Sequence, residues 1–520
     1  MTAKRIGFVL GLAAFLIVVS LPSFRIFDTA AAEIIAARGV PLSIPHLAVS
    51  LQVVFALLLL MVCWWLTEAV PLPATALLPI AVLPLFEVTG LRDNAVYEFT
   101  TRNVLLNYAS PVIFLFLGGF LLAGAMQKWK LDRRFTLWFL SRGNLANDTR
   151  TILLGIMAVT AFLSMWISNT ATAAMMLPLG LGILSLLNVK PGSSRFGTAL
   201  MLGIAWSASI GGMGTIIGSP PNGIAVGILD STFGNHPEIQ HISFVQWMEF
   251  GVPYVLLFVP IAWWLILRMN PPEMTAIPNG KGRILQERST LGSFTRGEQR
   301  TIAVFLLAVF LWITNPFWQF LMPEYLVERL RWIDEYSIGI SMGILLFLVP
   351  VEFRKGIFLL EWRDTHFVEW GTLLLFGGGI ALSDAMFRTG LASLIASSVV
   401  GLLGSPSTLL LLIAVVILVD FLTEITSNTA VTSMMVPIVI SIGMRTGADP
   451  LTLAVGTALA ASMAFMLPVA TPPNALVYGS GYVRLKDMIR TGIVLDIIGW
   501  LFTVMVLIVF AHWMFGILSF

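Results

Sequence analysis

One short phrase occurs twice in this chain. ISNTATAAMMLP occupies residues 167–178 and ITSNTAVTSMMVP residues 425–437. Aligned without a gap, 163–178 and 422–437 share eight of sixteen positions at a shift of 259 residues. A second pair lies upstream, FLGGFLLAGAM (116–126) against FGGGIALSDAM (376–386), and a third downstream, GSPPN (218–222) against ATPPN (470–474). Three matches in the same order at nearly constant shift mark a duplicated unit. The fold must therefore be one that can be built twice.

Composition says in which solvent. Of 520 residues, 57% are hydrophobic and 11% charged, against roughly 25% charged in soluble domains. Apolar runs near the length a helix needs to cross hydrocarbon recur, with cores at 53–66, 301–312, 338–349 and 493–510. The chain reads as an all-α polytopic membrane protein with ten to twelve spans, about eleven. MTAKR and the apolar run after it resemble a signal peptide, but the spans that follow make it a retained first helix with Lys4 and Arg5 inside. A net charge of +2 gives no reason to expect a nucleic-acid partner. The single cysteine, Cys63, excludes an intrachain disulfide.

Three segments hold half of the basic residues: Lys128 to Arg150, Arg268 to Arg300, and Arg354 to Arg363. The positive-inside rule puts them in the cytoplasm and the 230–249 loop, which lacks Lys and Arg, outside. The hydrophilic stretch 270–300 reads as the linker between the halves.

The local chemistry of the repeats points to a transporter, with its site at the midplane. Gly118, Gly119 and Gly377–Gly379 interrupt apolar segments and read as two re-entrant hairpins, tolerated where protein surrounds the backbone. Each Ser-Asn-Thr, 168–170 and 427–429, should mark a helix break, which presents amides on one side and carbonyls on the other. Ser164 precedes Ser168, and Thr423 precedes Ser427, by one turn, so two hydroxyls share a face. Uncharged oxygens of this kind suit Na⁺. Pro220–Pro221 and Pro472–Pro473 break a third element in each half, with Ser219 and Thr471 beside the breaks.

With WWLTEAVPLPATALLP (64–79), these motifs resemble the divalent anion/sodium symporters, from about Trp64 to the end of the second repeat. The resemblance implies a homodimer in the plasma (inner) membrane, each protomer with two inverted repeats, a scaffold and a transport part that moves like an elevator. On that reading residues 1–103 are scaffold, 104–232 transport part, 233–363 scaffold with the 270–300 linker, 364–488 transport part, and 489–520 a last membrane helix. One sodium site would use Ser164, Ser168, Asn169 and Gly218, the other Thr423, Ser427, Asn428 and Ala470. Substrate carboxylates would meet Asn169, Thr170, Ser219, Asn428, Thr429, Thr471 and Pro472.

No Arg or Lys stands in or beside these motifs, so sodium would supply the charge that holds a dianion. The function expected is sodium-coupled symport of a divalent anion, a C4-dicarboxylate first. Exchange, proton coupling, citrate and sulfate are the alternatives. No enzyme is expected: His46, His236, His241, His366 and His512 are scattered, and HExxH, GxSxG and Cys/His clusters are absent from the sequence. His236 and His241 read as part of a solvated loop. Glu424 and Asp420 lie near the second motif without equivalents in the first; Glu424 reads as a structural acid held by backbone amides, with a coupling proton as the other reading. Glu68 and Asp384 read as acids at helix or hairpin ends, and Asp496 is unexplained.

Overall fold

The computed structural model describes residues 3–515 except 93–94, 144, 235–240 and 405. Nine helices among them are long and apolar enough to cross a membrane, or ten if the pair Lys4–Ser20 and Arg25–Arg38, bent by 62°, is one span. The chain is an all-α polytopic membrane protein. The count of about eleven is not reached helix by helix, because the chain at the duplicated motifs is divided into shorter apolar helices such as Thr149–Ser164 and Pro450–Ala461. Two small ribbons, β1 (Thr89–Arg92) with β2 (Ala95–Glu98) and β3 (Pro350–Glu352) with β4 (Ile357–Phe358), are the strands among the described residues.

In the first half, α1 (Ala3–Ser20) runs antiparallel to α3 (Ile44–Thr67): Lys4 pairs with Glu68, and Gln52 donates to the Leu21 carbonyl. Between them α2 (Arg25–Arg38) rests on α3 through Phe27 and Phe55. Short helices α4 (Leu72–Thr75), α5 (Leu78–Leu85) and α6 (Thr101–Tyr108) lead to α7 (Pro111–Lys128) and α8 (Leu131–Leu140). Then come α9 (Thr149–Ser164), α10 (Asn169–Leu186), α11 (Arg195–Gly212), α12 (Pro220–Phe233) and α13 (Phe244–Met269). The linker holds α14 (Gly280–Thr290). In the second half α15 (Arg296–Thr314), α16 (Trp318–Leu321), α17 (Glu324–Leu330) and α18 (Glu335–Leu348) precede α19 (Trp370–Thr389) and α20 (Leu391–Leu403). The last five are α21 (Thr408–Ile425), α22 (Asn428–Thr446), α23 (Pro450–Ala461), α24 (Pro472–Gly479) and α25 (Leu485–Phe515).

The glycine-rich runs are not hairpins. Gly118 and Gly119 sit inside the unbroken α7, and Gly377–Gly379 inside the unbroken α19. A Cβ on Gly118 would fall 2.1 Å from the Gly339 carbonyl oxygen of α18, and one on Gly378 2.3 Å from that of Ala76. These glycines serve close helix packing.

The chain reverses at Ser-Asn-Thr instead. Gly203 and Gly211 of α11 face Leu153 and Ala161 of α9, so these helices run parallel. Gly212 faces Asn169, while Gly180 faces Met201 and Ile204, so α10 runs the other way. Helices α9 and α10 therefore form a hairpin with its tip at 165–168. In the second half Gly456 of α23 faces Leu412, and Thr423 donates to the Ala461 carbonyl, so α21 and α23 are parallel. Gly443 of α22 faces Leu453 of α23, and α21–α22 is the matching hairpin. Helix α11 is buried from Phe196 to Gly212 on all sides, which is why it shows no polar face.

The Pro-Pro-Asn motifs break the elements after α11 and α23. Asn222, fully buried, donates to the carbonyls of Gly212 (2.9 Å) and Thr215 (2.8 Å). Asn474 does the same to Ala464 (2.8 Å) and Leu467 (3.0 Å), 252 residues later. Each asparagine satisfies carbonyls that the break removes from the helical ladder.

The three basic segments meet on one face. Lys128 pairs with Asp364 at 2.7 Å, and Thr149 N–H donates to the Thr275 carbonyl. Helix α15 begins at a capping box of Thr295 and Glu298, and Glu298 also holds Arg134 at 2.6 Å. On the opposite face His241 is not simply solvated, as its loop suggested. Its Nδ1 lies 2.7 Å from Asp230 of α12 and its Nε2 2.8 Å from Glu335 of α18, while Tyr336 donates to Asp230. His236 lies outside the described residues. Burial works against a charge on His241, but hydrogen bonds and charge from Asp230 and Glu335 outweigh it and push the group from 6.5 up to about 10.

Two tests follow from these contacts. Asn222→Ala and Asn474→Ala each orphan two buried carbonyls, at about 1–3 kcal/mol per group, and should lower the thermal midpoint of the detergent-solubilised protein by several degrees. The stability that charged His241 supplies is fully present below pH 6.5 and is lost as pH rises through about 10. The wild-type midpoint should thus decline across that window, and His241→Gln should start lower at pH 7 and decline less.

Candidate functional site

Four helices begin at one place. Ser168, Ser219, Ser427 and Thr471 are the N-terminal caps of α10, α12, α22 and α24, and all four line a single cavity of about 510 Å³. A helix N-terminus carries roughly half a positive charge and amides without intrahelical acceptors. At α10 the Ser168 hydroxyl accepts from Ala171 N–H, which leaves the amides of Asn169 and Thr170 nearest the cavity. At α22 the Ser427 side chain caps nothing, so the first turn stays open. At α12 and α24 two prolines fill the first helical positions, where no amide is needed and their fixed φ suits the helix.

All seven residues expected to meet substrate, Asn169, Thr170, Ser219, Asn428, Thr429, Thr471 and Pro472, line this cavity. Of those expected to hold cations, Ser168, Asn169, Ser427, Asn428 and Ala470 line it as well. Ser164, Gly218 and Thr423 are buried just behind its wall. Among the described residues no Lys, Arg or His lines it, whereas Glu68 and Glu369 do. Glu68 ends α3 and faces Lys4 at 3.5 Å, and Glu369 accepts from Thr372. These two acids put the mouth on the same side as the basic segments.

Behind the wall are two clusters of neutral oxygens. Ser164 Oγ lies 2.7 Å from both Asn169 Oδ1 and the Ala208 carbonyl. The Asn169 amide also stands 3.3 Å from the Gly218 carbonyl, and in the orientation that satisfies hydrogen bonding its nitrogen donates to Ala208, Ser164 and Gly218. Three acceptors thus converge on one amide. A small cation at that point would let the amide turn its oxygen inward. Thr423 Oγ1 repeats the pattern, 2.6 Å from Asn428 Oδ1 and 2.9 Å from the Ala461 carbonyl. The carbonyls of Ala208 and Ala461 were not foreseen from sequence. Their 253-residue separation, close to that of the Pro-Pro-Asn motifs, was the available signal.

Glu424 accepts from the amides of Met466 (2.7 Å) and Leu467 (2.9 Å), and so ties the second hairpin to the second break. Asp384 near the end of α19 pairs with Arg388 at 2.5 Å and accepts from Asn107. Asp420 on α21 and Asp496 on α25 are fully buried, Asp420 beside the Trp500 side chain and Asp496 beside the Phe465 backbone. Neither lines the cavity.

The model of the family described as "Sodium:sulfate symporter transmembrane region" matches residues 23–518. The sodium-dependent dicarboxylate transporter SdcS of Staphylococcus saprophyticus is 38% identical over 469 residues, 88% of this chain and 85% of its own. SdcS of Staphylococcus aureus is 37% identical over 463 residues, 87% and 84% of the two chains. Among solved structures, the YdaH transporter of Alcanivorax borkumensis is similar with a TM-score of 0.53 at 14% identity, covering 88% of this chain and 98% of that one. MtrF of Neisseria gonorrhoeae is similar with a TM-score of 0.52 at 14% identity, over 87% and 97%. At that identity the likeness is one of fold. With a family match over nearly its whole length and relatives this similar, the chain belongs to the sodium:sulfate symporter family, the divalent anion/sodium symporters, and is a secondary transporter.

Proposed function

We propose that this chain is a sodium-coupled symporter of a divalent anion, a C4-dicarboxylate first, in the bacterial plasma (inner) membrane. One observation carries the reading. Four helix N-termini converge on a cavity without a cationic side chain, and a cluster of neutral oxygens backs each half of it. Helix ends attract an anion, but neutral donors alone hold a dianion weakly. Sodium ions as co-substrates supply the missing charge. The names of the similar SdcS proteins, sodium-dependent dicarboxylate transporters, support both substrates.

In this reading one ion sits among Ser164, Ser168, Asn169 and the carbonyls of Gly218 and Ala208. The second sits among Thr423, Ser427, Asn428 and the carbonyls of Ala470 and Ala461. Each asparagine turns its oxygen to the ion and its nitrogen to a substrate carboxylate. Thr170, Thr429, Ser219 and Thr471 offer hydroxyls to the same carboxylates, and Pro472 shapes the floor. Filling the ion sites first raises affinity for the dianion, and the loaded site then crosses with less net charge than either cargo alone.

The movement we propose is an elevator. The two hairpins, α11–α13 and α23–α25 travel together against α1–α7 and α15–α19, with two copies forming a dimer. This differs from the 104–232 and 364–488 boundaries, since α7 and α19 lie with the static part and α13 and α25 pack against the hairpin cores. The halves are inverted repeats: α7 starts on the face opposite the basic loops and α19 starts on the basic face. The first hairpin rises from the basic side, and the second from the other. With basic loops in the cytoplasm, the cavity faces inward.

Uptake of labelled succinate into proteoliposomes tests this. An inward sodium gradient should drive accumulation, and Asn169→Ala or Asn428→Ala should remove more than about 90% of it. Ser164→Ala and Thr423→Val should raise the half-saturating sodium concentration about tenfold, near 1.4 kcal/mol. Uptake indifferent to sodium but driven by succinate inside would make the chain an exchanger and sink the coupling. Accumulation of sulfate or citrate instead would keep the coupling and change the substrate.

A further inference from the structure

On the face opposite the basic loops, side chains that travel in the elevator reading meet side chains that stay. On the travelling side, His241 and Asp230 of α12 lie 2.7 Å apart, and Phe244 opens α13. Across the boundary, His241 Nε2 lies 2.8 Å from Glu335 at the start of α18, and Tyr336 beside it donates to Asp230. Phe244 stacks on Trp312 of α15 with ring centres 4.7 Å apart. Trp312 Nε1 in turn donates to the Glu335 carbonyl at 3.0 Å, so the static side of this contact is itself held in place. A cavity of about 680 Å³ opens beside the bridge, with Asn107 and Ser110 on the static wall and Asp230 and Ser231 on the travelling one.

A sliding motion keeps the contacts inside each part and breaks those between the parts. Earlier along α12 the facing groups are apolar: a Cβ on Gly223 would meet Phe116 and Phe376, and one on Gly227 would meet Val112 and Ile380. Apolar contacts of that kind exchange for similar ones as helices slide. A hydrogen bond between charged groups has to be given up, and it is roughly twice as strong as a neutral one. Burial opposes a charge on His241, but the two carboxylates overcome this and push the group up to about 10, so the ring is charged at pH 7. Its side chain is 43% exposed and that of Glu335 12%. Water in the cavity screens the bridge on the His241 side, which keeps it weak enough to open in every cycle.

We propose that His241 is a positioning residue of the transport cycle, the latch of the outer gate. Its ring, clamped between Asp230 and Glu335, holds the travelling part where the central cavity faces inward, and the bridge opens before the cavity can face outward. This rests on the elevator reading above. The latch is asymmetric in a useful way. His241 and Asp230 travel together, so their pair survives the movement, while Glu335 and Tyr336 lose their partners. Without the imidazolium, Asp230 and Glu335 confront each other as like charges across the boundary. Removing His241 therefore drives the parts away from this position, where removing Glu335 only loosens them.

The test follows which side of the membrane the central cavity faces. Val469 lines that cavity and is 79% exposed, so the full chain with Cys63→Ala and Val469→Cys carries one reporter thiol. Its labelling by a membrane-impermeant maleimide is timed in right-side-out and inside-out membrane vesicles, without sodium or succinate. The parent should label from the basic side. Adding His241→Gln should raise the rate from the outer side on the order of fivefold, lower the rate from the basic side, and lower KM for external succinate by a similar factor. Glu335→Gln and Tyr336→Phe should shift the rates the same way by less, and His241→Gln/Glu335→Gln should match Glu335→Gln. His241→Lys, which keeps the charge, should stay near the parent. Rates unmoved by His241→Gln would overturn the proposal. A rise on both sides, the mark of a merely loosened protein, or a His241→Lys variant that behaves like His241→Gln would do so too. Sodium with succinate should bring the parent thiol to both sides. If it never reaches the outer side while uptake proceeds, the elevator reading fails and the latch falls with it. If it does and the His241 variants change nothing, only the latch falls.

Discussion

Inside an apolar bundle, backbone that leaves helical geometry has to find partners for its amides and carbonyls. This chain leaves it at four places and solves the problem twice with the same parts. Asn222 and Asn474 each bind two carbonyls across a Pro-Pro break. Ser164 and Thr423 each reach an asparagine and an alanine carbonyl at a hairpin tip. What these clamps leave over is the useful part: four helix N-termini facing one cavity.

Satisfaction of the backbone and recognition of ions are therefore one problem. The carbonyls that accept from Ser164 and Thr423 are also the oxygens that the proposed sodium ions need. The asymmetry between halves is equally physical. Glu424 caps two amides of the second break, where the first half has Met165. The first break is instead secured by the Thr215 hydroxyl, which donates to the Met165 carbonyl and accepts from Gly218 N–H. Different side chains close the same geometry.

The charge pattern has the same economy. The central cavity holds no cationic side chain, and its mouth has two acids. Basic residues gather where they tie loops together, as in Lys128–Asp364 and Arg134–Glu298.

The sequence by itself determined that the chain lives in a membrane, that it is built twice, and which residue types meet at its centre. These are legible because apolar run length, repetition and hydroxyl–amide–proline chemistry are local properties. The tertiary structure alone decided which segments turn back. Glycine runs in α7 and α19 look like breaks, yet glycine serves equally as a contact surface, and only the Gly339 carbonyl oxygen, packed where a Cβ on Gly118 would fall within 2.1 Å of it, tells the two apart. Ser-Asn-Thr looks like an interruption, and only the parallel packing of α9 with α11 shows that the chain reverses there. His241 looks solvated until Asp230 and Glu335 arrive from helices 11 residues before it and 94 after it. One cavity on the face opposite the basic loops draws on residues as far apart as Arg38 and Arg445. Such convergence depends on helix direction and register, which packing fixes and no local pattern records.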